Sequence, residues 1–320
     1  MTDTVPQIEG FAEGAWQPEV YAALCDLVTQ HGLYAEGYDP ERPPLVVFDC
    51  DETLIAHDIG EALLRFMITR RRIHADRGFW NLIPERMGRE AIRAAFNAVA
   101  GRADNEVKDT AAYRRYRAGL IGVYENIRAN PEGPQAAYAF AARMLRGIHE
   151  RTVADLVEEV VDHELDRSLG MEDIPAGPPF HHLSVPQGVR YYAEMLNLMQ
   201  ILDQHGFQVW VVSASCAPVV KALLGRVNLP PERVLGVELQ TQSGVYTDRI
   251  IEPSPVGEGK LELFLDTVGR SPMLVVGDSI NDAELMENCE GISIVVDRGD
   301  EALAAMAQEN GWFIQGELTL

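Results

Sequence analysis

Leu45-Val46-Val47-Phe48-Asp49-Cys50-Asp51-Glu52-Thr53 is the stretch that decides the fold. Four consecutive apolar residues fit a short strand buried on both faces, and two carboxylates at i and i+2 follow at once. Three similar runs recur downstream: Val209-Trp210-Val211-Val212, Met273-Leu274-Val275-Val276 and Ile292-Ser293-Ile294-Val295-Val296. Helical periodicity alternates with them over 187–205, 216–225, 259–268 and 280–288. Strand and helix in such alternation predict a doubly wound, mainly parallel α/β sheet with right-handed crossovers. A further strand is expected at 233–237, a hairpin over 240–251 centred on Ser243-Gly244, and a helix around 17–31 packed on the core.

One interval breaks the rhythm. Between the first and second apolar runs the pattern is almost continuously helical, over 58–72, 87–100, 110–128, 134–147 and 152–167. An inserted helical cap, residues 57–185, is the economical reading, with 1–56 and 186–320 forming a discontinuous core. The cap ends in the Pro/Gly-rich linker Ile174-Pro175-Ala176-Gly177-Pro178-Pro179. Charge divides the same way: 57–185 hold 18 basic and 19 acidic side chains, against 9 and 30 elsewhere. Within 57–128 the count is 14 basic to 9 acidic, which reads either as a solvated helical surface or as a basic lid drawing in an anionic substrate.

Composition excludes several classes. With 320 residues, 47% hydrophobic and 24% charged, the chain is a packed protein of one large domain or two. A net charge of −22 repels polyanions, so nucleic acid is not an expected partner. No apolar run approaches the length of a membrane span. The four cysteines, Cys25, Cys50, Cys216 and Cys289, are too scattered for a disulfide framework or a zinc site. Met1 to Gly10 carries Asp3 and Glu9 and lacks the features of a signal peptide, so a reducing cytoplasm is the expected setting.

The chemistry gathers where strands end. Asp49 and Asp51 stand at the C-terminal end of a buried strand, where open α/β sheets place their sites. Gly277-Asp278-Ser279-Ile280-Asn281-Asp282 follows another buried strand, with its carboxylates at i and i+4. Either pair alone would pass as a turn or a helix cap. Together, four carboxylates at one sheet edge need a cation between them, and an all-oxygen donor set favours Mg²⁺. Ser213, followed by Ala214 and Ser215, ends the second run and offers a hydroxyl and backbone N–H groups to a phosphate. Lys260 opens a helix after Gly257-Glu258-Gly259, in a chain with only three lysines. It is a surface lysine or a point charge for a phosphoryl group.

The order Asp49-x-Asp51-x-Thr53, Ser213, Lys260, Gly277-Asp278-Ser279-x-Asn281-Asp282 resembles the haloacid dehalogenase superfamily, whose core is Rossmann-like. The segment from Gly236-Val237-Glu238 to Gly259-Lys260 resembles its phosphoserine phosphatase branch. His57-Asp58-Ile59-Gly60-Glu61-Ala62-Leu63-Leu64 is similar to the lid entry of phosphorylcholine phosphatases. The resemblance implies that Asp49 is a nucleophile forming an aspartyl phosphate, and that Asp51 protonates the leaving alkoxide and then activates water. It implies a phosphoryl site of Thr53, Ser213, Ala214, Lys260 and Asn281. It also implies Mg²⁺ held by Asp49, Asp278 and the Asp51 carbonyl, with Asp282 orienting that shell. Dehalogenases of the superfamily lack an acid at the second motif position, so Asp51 implies phosphate chemistry.

Asp58 lies where phosphoserine phosphatases carry a Glu that reads the substrate ammonium. The expected substrate is therefore a small phosphorylated metabolite bearing an amine, phosphoserine-like or phosphocholine-like. Phe79, Trp80, Tyr113 and Tyr116 are either a cation–π wall for that group or the cap's own core. Arg70-Arg71-Arg72 reads as a surface run or as a reader of a substrate carboxylate. Two other functions fit the same residues: a phosphotransferase passing the aspartyl phosphate to an alcohol, and an idle binding protein on this fold. Phosphate-loop, Gly-x-Ser-x-Gly and zinc-protease patterns are absent.

Overall fold

The computed structural model describes residues 6–130 and 133–320. The chain forms two compact units. The first gathers the residues up to Asp58 with Arg190–Gly236 and Pro253–Leu320; the second gathers Ile59–Val189 and Val237–Glu252.

The first unit is built on a six-stranded sheet. Its strands are β1 (Leu45–Phe48), β2 (Gln208–Cys216), β3 (Val234–Val237), β4 (Leu274–Gly277), β5 (Ile292–Val296) and β6 (Phe313–Gln315), in the order β6-β5-β4-β1-β2-β3. The pairs β1–β4, β1–β2, β4–β5 and β5–β6 are parallel, so the sheet is of the doubly wound kind the apolar runs require. All four residues of β1 are buried, as are all four of β4, and that is why these strands read as unbroken apolar runs. Val47, Trp210, Val212, Phe264, Val275, Val295 and Leu303 make the core beneath the sheet. Each large apolar side chain fully buried there contributes about 1.5–3 kcal/mol.

Helices Pro18–His31, Ala193–Gln204, Ala217–Gly225, Glu258–Val268 and Glu301–Asn310 alternate with the strands. Their ends have local causes. Pro stands in the first turn of 18–31 and 217–225, and Asp300 accepts from the Ala302 and Leu303 N–H groups. Gly269 and Gly311 close their helices at positive φ. Register then sets the site: Phe48 is level with Val276 and with Val211, so the residues just beyond them emerge at one sheet edge. Ile55–Ala56 pairs antiparallel with Arg190–Tyr191, a two-residue clasp.

The second unit is mainly helical, with helices Ile59–Thr69, Arg89–Asn97, Ala111–Arg128, Gly133–Ala142 and Glu150–Asp166. Trp80, Phe96, Tyr116 and Tyr113 form a series of ring contacts in its core. Tyr116 donates to the Ile68 carbonyl (3.0 Å), and Trp80 donates through Nε1 to the Ala75 carbonyl (3.1 Å). Phe79, Trp80, Tyr113 and Tyr116 are all buried. Of the two readings of these rings, the cap's own core is the one that holds: rings at helical spacing pack inward against one another. The arginine run is engaged within the unit as well. Arg71 binds Asp104 and the Val99 carbonyl, and Arg72 meets Glu159 at 2.9 Å.

The Pro/Gly-rich linker lies between two antiparallel strands, Gly170–Ile174 and Leu183–Gln187. The expected hairpin is Leu239–Gln242 with Val245–Ile250, turning through Ser243 and Gly244, both at positive φ. It packs in this unit: Tyr246 donates its N–H to the Ile148 carbonyl (3.0 Å), and Glu150 donates its N–H to the Gly244 carbonyl (2.8 Å). Among the described residues no helix is long and apolar enough to cross a membrane.

Candidate active site

The loop after β1 is tightly wound. Asp49 donates its N–H to the Val276 carbonyl (2.8 Å), which carries the sheet pairing one residue past the strand. Leu54 and Ile55 both donate to the Cys50 carbonyl. Glu52 (φ 57°) and His57 (φ 66°) hold left-handed conformations, uncommon for residues with a side chain. They are locked to each other: His57 donates its N–H to Glu52 Oε1 at 3.0 Å, and Glu52 donates its N–H to the His57 carbonyl at 3.3 Å. Arg298 donates through Nε to the Glu52 carbonyl (3.0 Å), and its guanidinium lies over the Tyr192 ring at 4.7 Å. These contacts fix the loop that presents Asp49, Asp51 and Thr53.

Asp49, Asp278 and Asp282 converge. Each presents a carboxylate oxygen within 4.8 Å of the others, a set able to hold a metal ion. Lys260, only 2% exposed, bridges two of them: Nζ donates to Asp49 Oδ1 at 2.7 Å and to Asp282 Oδ1 at 2.5 Å. Thr53 donates its hydroxyl to Asp278 Oδ1 at 3.2 Å. Asp282 also accepts from the Asp278 and Ser279 N–H groups, with Ser279 completing a capping box. Gly277 is obligatory here, because a Cβ at that position would lie 2.5 Å from the Asp282 carboxyl carbon. Asn281 sits half-buried in the same turn.

Asp51 is held elsewhere. Its Oδ2 accepts from Ser215 Oγ at 2.7 Å and from Ser213 Oγ at 3.2 Å. Ser215 donates its N–H to Ser213 Oγ (3.0 Å), and its hydroxyl lies 3.3 Å from Asp58 Oδ1. Ala214 is buried between the two serines. The carboxylate of Asp51 thus faces the serines, while those of Asp49, Asp278 and Asp282 face one another. The bond from Ser215 to Asp51 is a contact to which the sequence assigned no role. The available signal was the i+2 spacing of Ser215 from Ser213, which puts both hydroxyls on one face of β2.

The electrostatics are those of a site short of positive charge. Burial, then the neighbouring charges of Asp49 and Asp282, push the Asp278 carboxyl well above its ordinary range. Asp282 is also pushed up by burial, against the pull of Lys260. Burial alone would depress the Lys260 ammonium, but Asp282 and Asp49 outweigh it and hold it above the usual lysine value. Burial and the charges of Asp51 and Asp49 push the Cys50 thiol far up, so it is a neutral packing group rather than a nucleophile. One ammonium among three carboxylates leaves room for a hard cation with oxygen ligands.

A structure of a conserved protein of unknown function from Anaerococcus prevotii DSM 20548 is similar over 96% of this chain and 94% of its own, with a TM-score of 0.84 at 22% identity. A protein of unknown function from Bordetella pertussis Tohama I matches 84% of this chain and 96% of its own, with a TM-score of 0.53 at 18% identity. At such identities the likeness is one of fold. No curated protein matches. The model of the haloacid dehalogenase-like hydrolases matches residues 46–287, which run from β1 through the Asp278–Asp282 turn and include Asp49, Asp51, Asp58, Asp278 and Asp282. The chain therefore belongs to the haloacid dehalogenase-like hydrolase family.

Proposed function

We propose that the protein is a Mg²⁺-dependent phosphomonoesterase acting through an aspartyl phosphate on Asp49. The observation that carries this reading is the buried triad Asp49, Asp278 and Asp282, tied by Lys260 yet still short of positive charge. A dehalogenase nucleophile has no need of such a set, whereas two anions that must meet do. Mg²⁺ on Asp49, Asp278 and the Asp51 carbonyl, with Asp282 orienting the shell, would draw charge from the phosphoryl oxygens.

The residues divide the work in two steps. An oxygen of Asp49 attacks phosphorus as the ester P–O bond breaks, and Asp51 gives its proton to the departing alkoxide. Asp51 then takes a proton from water, whose oxygen attacks phosphorus and releases Asp49 with inorganic phosphate. Ser213, Lys260 and the backbone at Ala214 hold the phosphoryl oxygens, with Asn281 and Thr53 completing the shell. Lys260 on Asp49 Oδ1 lessens the repulsion of the approaching phosphoryl group. The substrate class is a small amine-bearing phosphomonoester, phosphoserine-like or phosphocholine-like, read by Asp58.

A panel of metabolite phosphates with Mg²⁺, scored for released phosphate, tests this. Turnover is expected on small phosphomonoesters, with loss on chelation, and Asp49→Asn should lower kcat by at least about a thousandfold without unfolding the chain. Undiminished turnover in that variant defeats the mechanism. Free phosphate as sole product in the presence of acceptor alcohols separates hydrolysis from phosphotransfer.

A further inference from the structure

We propose that Ser215 is a positioning residue for Asp51, holding the acid/base carboxyl toward the leaving oxygen; this rests on the phosphomonoesterase reading. Ser215 is 3% exposed and donates to Asp51 Oδ2 at 2.7 Å, the shorter of the two serine contacts. Ser213, at 3.2 Å, has a competing duty. Its hydroxyl carries one proton, and in holding a phosphoryl oxygen it turns away from Asp51. Ser215 then keeps Asp51 Oδ2 in place while the site is filled. With Oδ2 anchored as an acceptor, the transferable proton belongs on Oδ1.

Orientation of this kind matters because proton transfer needs donor and acceptor about 2.6–3.2 Å apart. The Ser215 N–H on Ser213 Oγ aims the phosphate-holding hydroxyl at the same time. On its other flank Ser215 Oγ lies 3.3 Å from Asp58 Oδ1, which competes for the same single proton. A cationic group seated on Asp58 relieves that competition and leaves the Ser215 proton to Asp51. In the step concerned, the Asp49 oxygen–phosphorus bond forms, the ester P–O bond breaks, and the Asp51 proton moves to the leaving alkoxide. An alkoxide requires that proton, whereas p-nitrophenolate departs without it.

The test is the leaving-group dependence of kcat/KM in the full chain with Mg²⁺, comparing p-nitrophenyl phosphate with the best alkyl phosphate of the panel. Ser215→Ala should lose at least about tenfold more on the alkyl phosphate than on the aryl phosphate, and Ser215→Thr, which returns the hydroxyl, should narrow that gap. Should the alanine variant not fold, Ser215→Cys, close in size and a weak donor, must show the same bias. Equal losses on both substrates, or none on either, overturn the assignment. An active Asp49→Asn variant overturns the underlying reading instead; an inactive one beside an unbiased Ser215→Ala overturns the role of Ser215 alone.

Discussion

In the second unit, Glu61 meets Arg65 at 2.8 Å with both side chains buried, and Glu172 lies between Arg117 at 2.5 Å and Arg167 at 3.1 Å. Glu164, also buried, pairs with Arg167. In the first unit three carboxylates converge, and one ammonium bridges two of them. Burial raises the carboxyl pKa in both places, but its outcome differs. At Glu172 the two arginines override it and the pKa falls; at Asp278 like charges reinforce it and the pKa climbs. Matched charges hold a shape, and mismatched ones are kept ready for something that arrives.

The comparison breaks most readily at Lys260. Lys260→Met leaves Asp49 and Asp282 buried without their cation and should cost about 3–5 kcal/mol. Urea unfolding in chelator measures the loss, and saturating Mg²⁺ should recover part of it; no recovery would mean that the cluster binds no cation. Gly277→Ala comes next, at about 1–3 kcal/mol, because its Cβ must displace the Asp282 carboxyl. Under the proposed function, phosphate release should fall with it, measured on the same preparation. Glu172→Gln tests the matched side, where loss of the charge between Arg117 and Arg167 should cost about 1–2 kcal/mol and leave the phosphate-release assay unchanged.

The dependence on pH is the most diagnostic. A carboxyl raised in the folded state binds protons more tightly there than when unfolded, so the metal-free protein loses stability as pH climbs from the unfolded Asp value through the folded pKa of Asp278. Glu172, lowered, works in reverse: its contribution is present above the unfolded Glu value and disappears as pH falls through its folded pKa. Carboxyl-detected NMR titration should place the two midpoints on opposite sides of the ordinary range. Both on the same side would erase the distinction between the units.

What the sequence made legible follows from burial. Strands β1, β2, β4 and β5 announce themselves because both faces are covered, and helices such as Glu150–Asp166 because one face is, whereas Ile59–Thr69 is buried nearly all round. Strand β6 went unread: Phe313 and Ile314 at the sheet edge are only half-buried, so no unbroken run betrays it. Strands Ile55–Ala56 and Arg190–Tyr191 are too short to leave any pattern. The hairpin was legible from Ser243-Gly244, but chain position alone gave no hint that it packs with Ile148 and Glu150. Within the site, strand-end carboxylates and a rare lysine were readable as types. The turning of Asp51 toward Ser215 was not, because side-chain direction depends on contacts between Asp51 and Ser215, 164 positions apart. The aromatic side chains left two readings open for a plain reason: identity tells what a ring can do, and packing decides what it does.

The two-residue clasp at Ile55–Ala56 and Arg190–Tyr191 has an architectural consequence. Paired antiparallel residues sit about 5 Å apart, so the polypeptide leaves the sheet unit and re-enters it at nearly one point. Everything strung between is, to the sheet, no more demanding than a surface loop of any length. Over evolutionary time that excursion can be exchanged for another while the sheet edge and its register stay as they are.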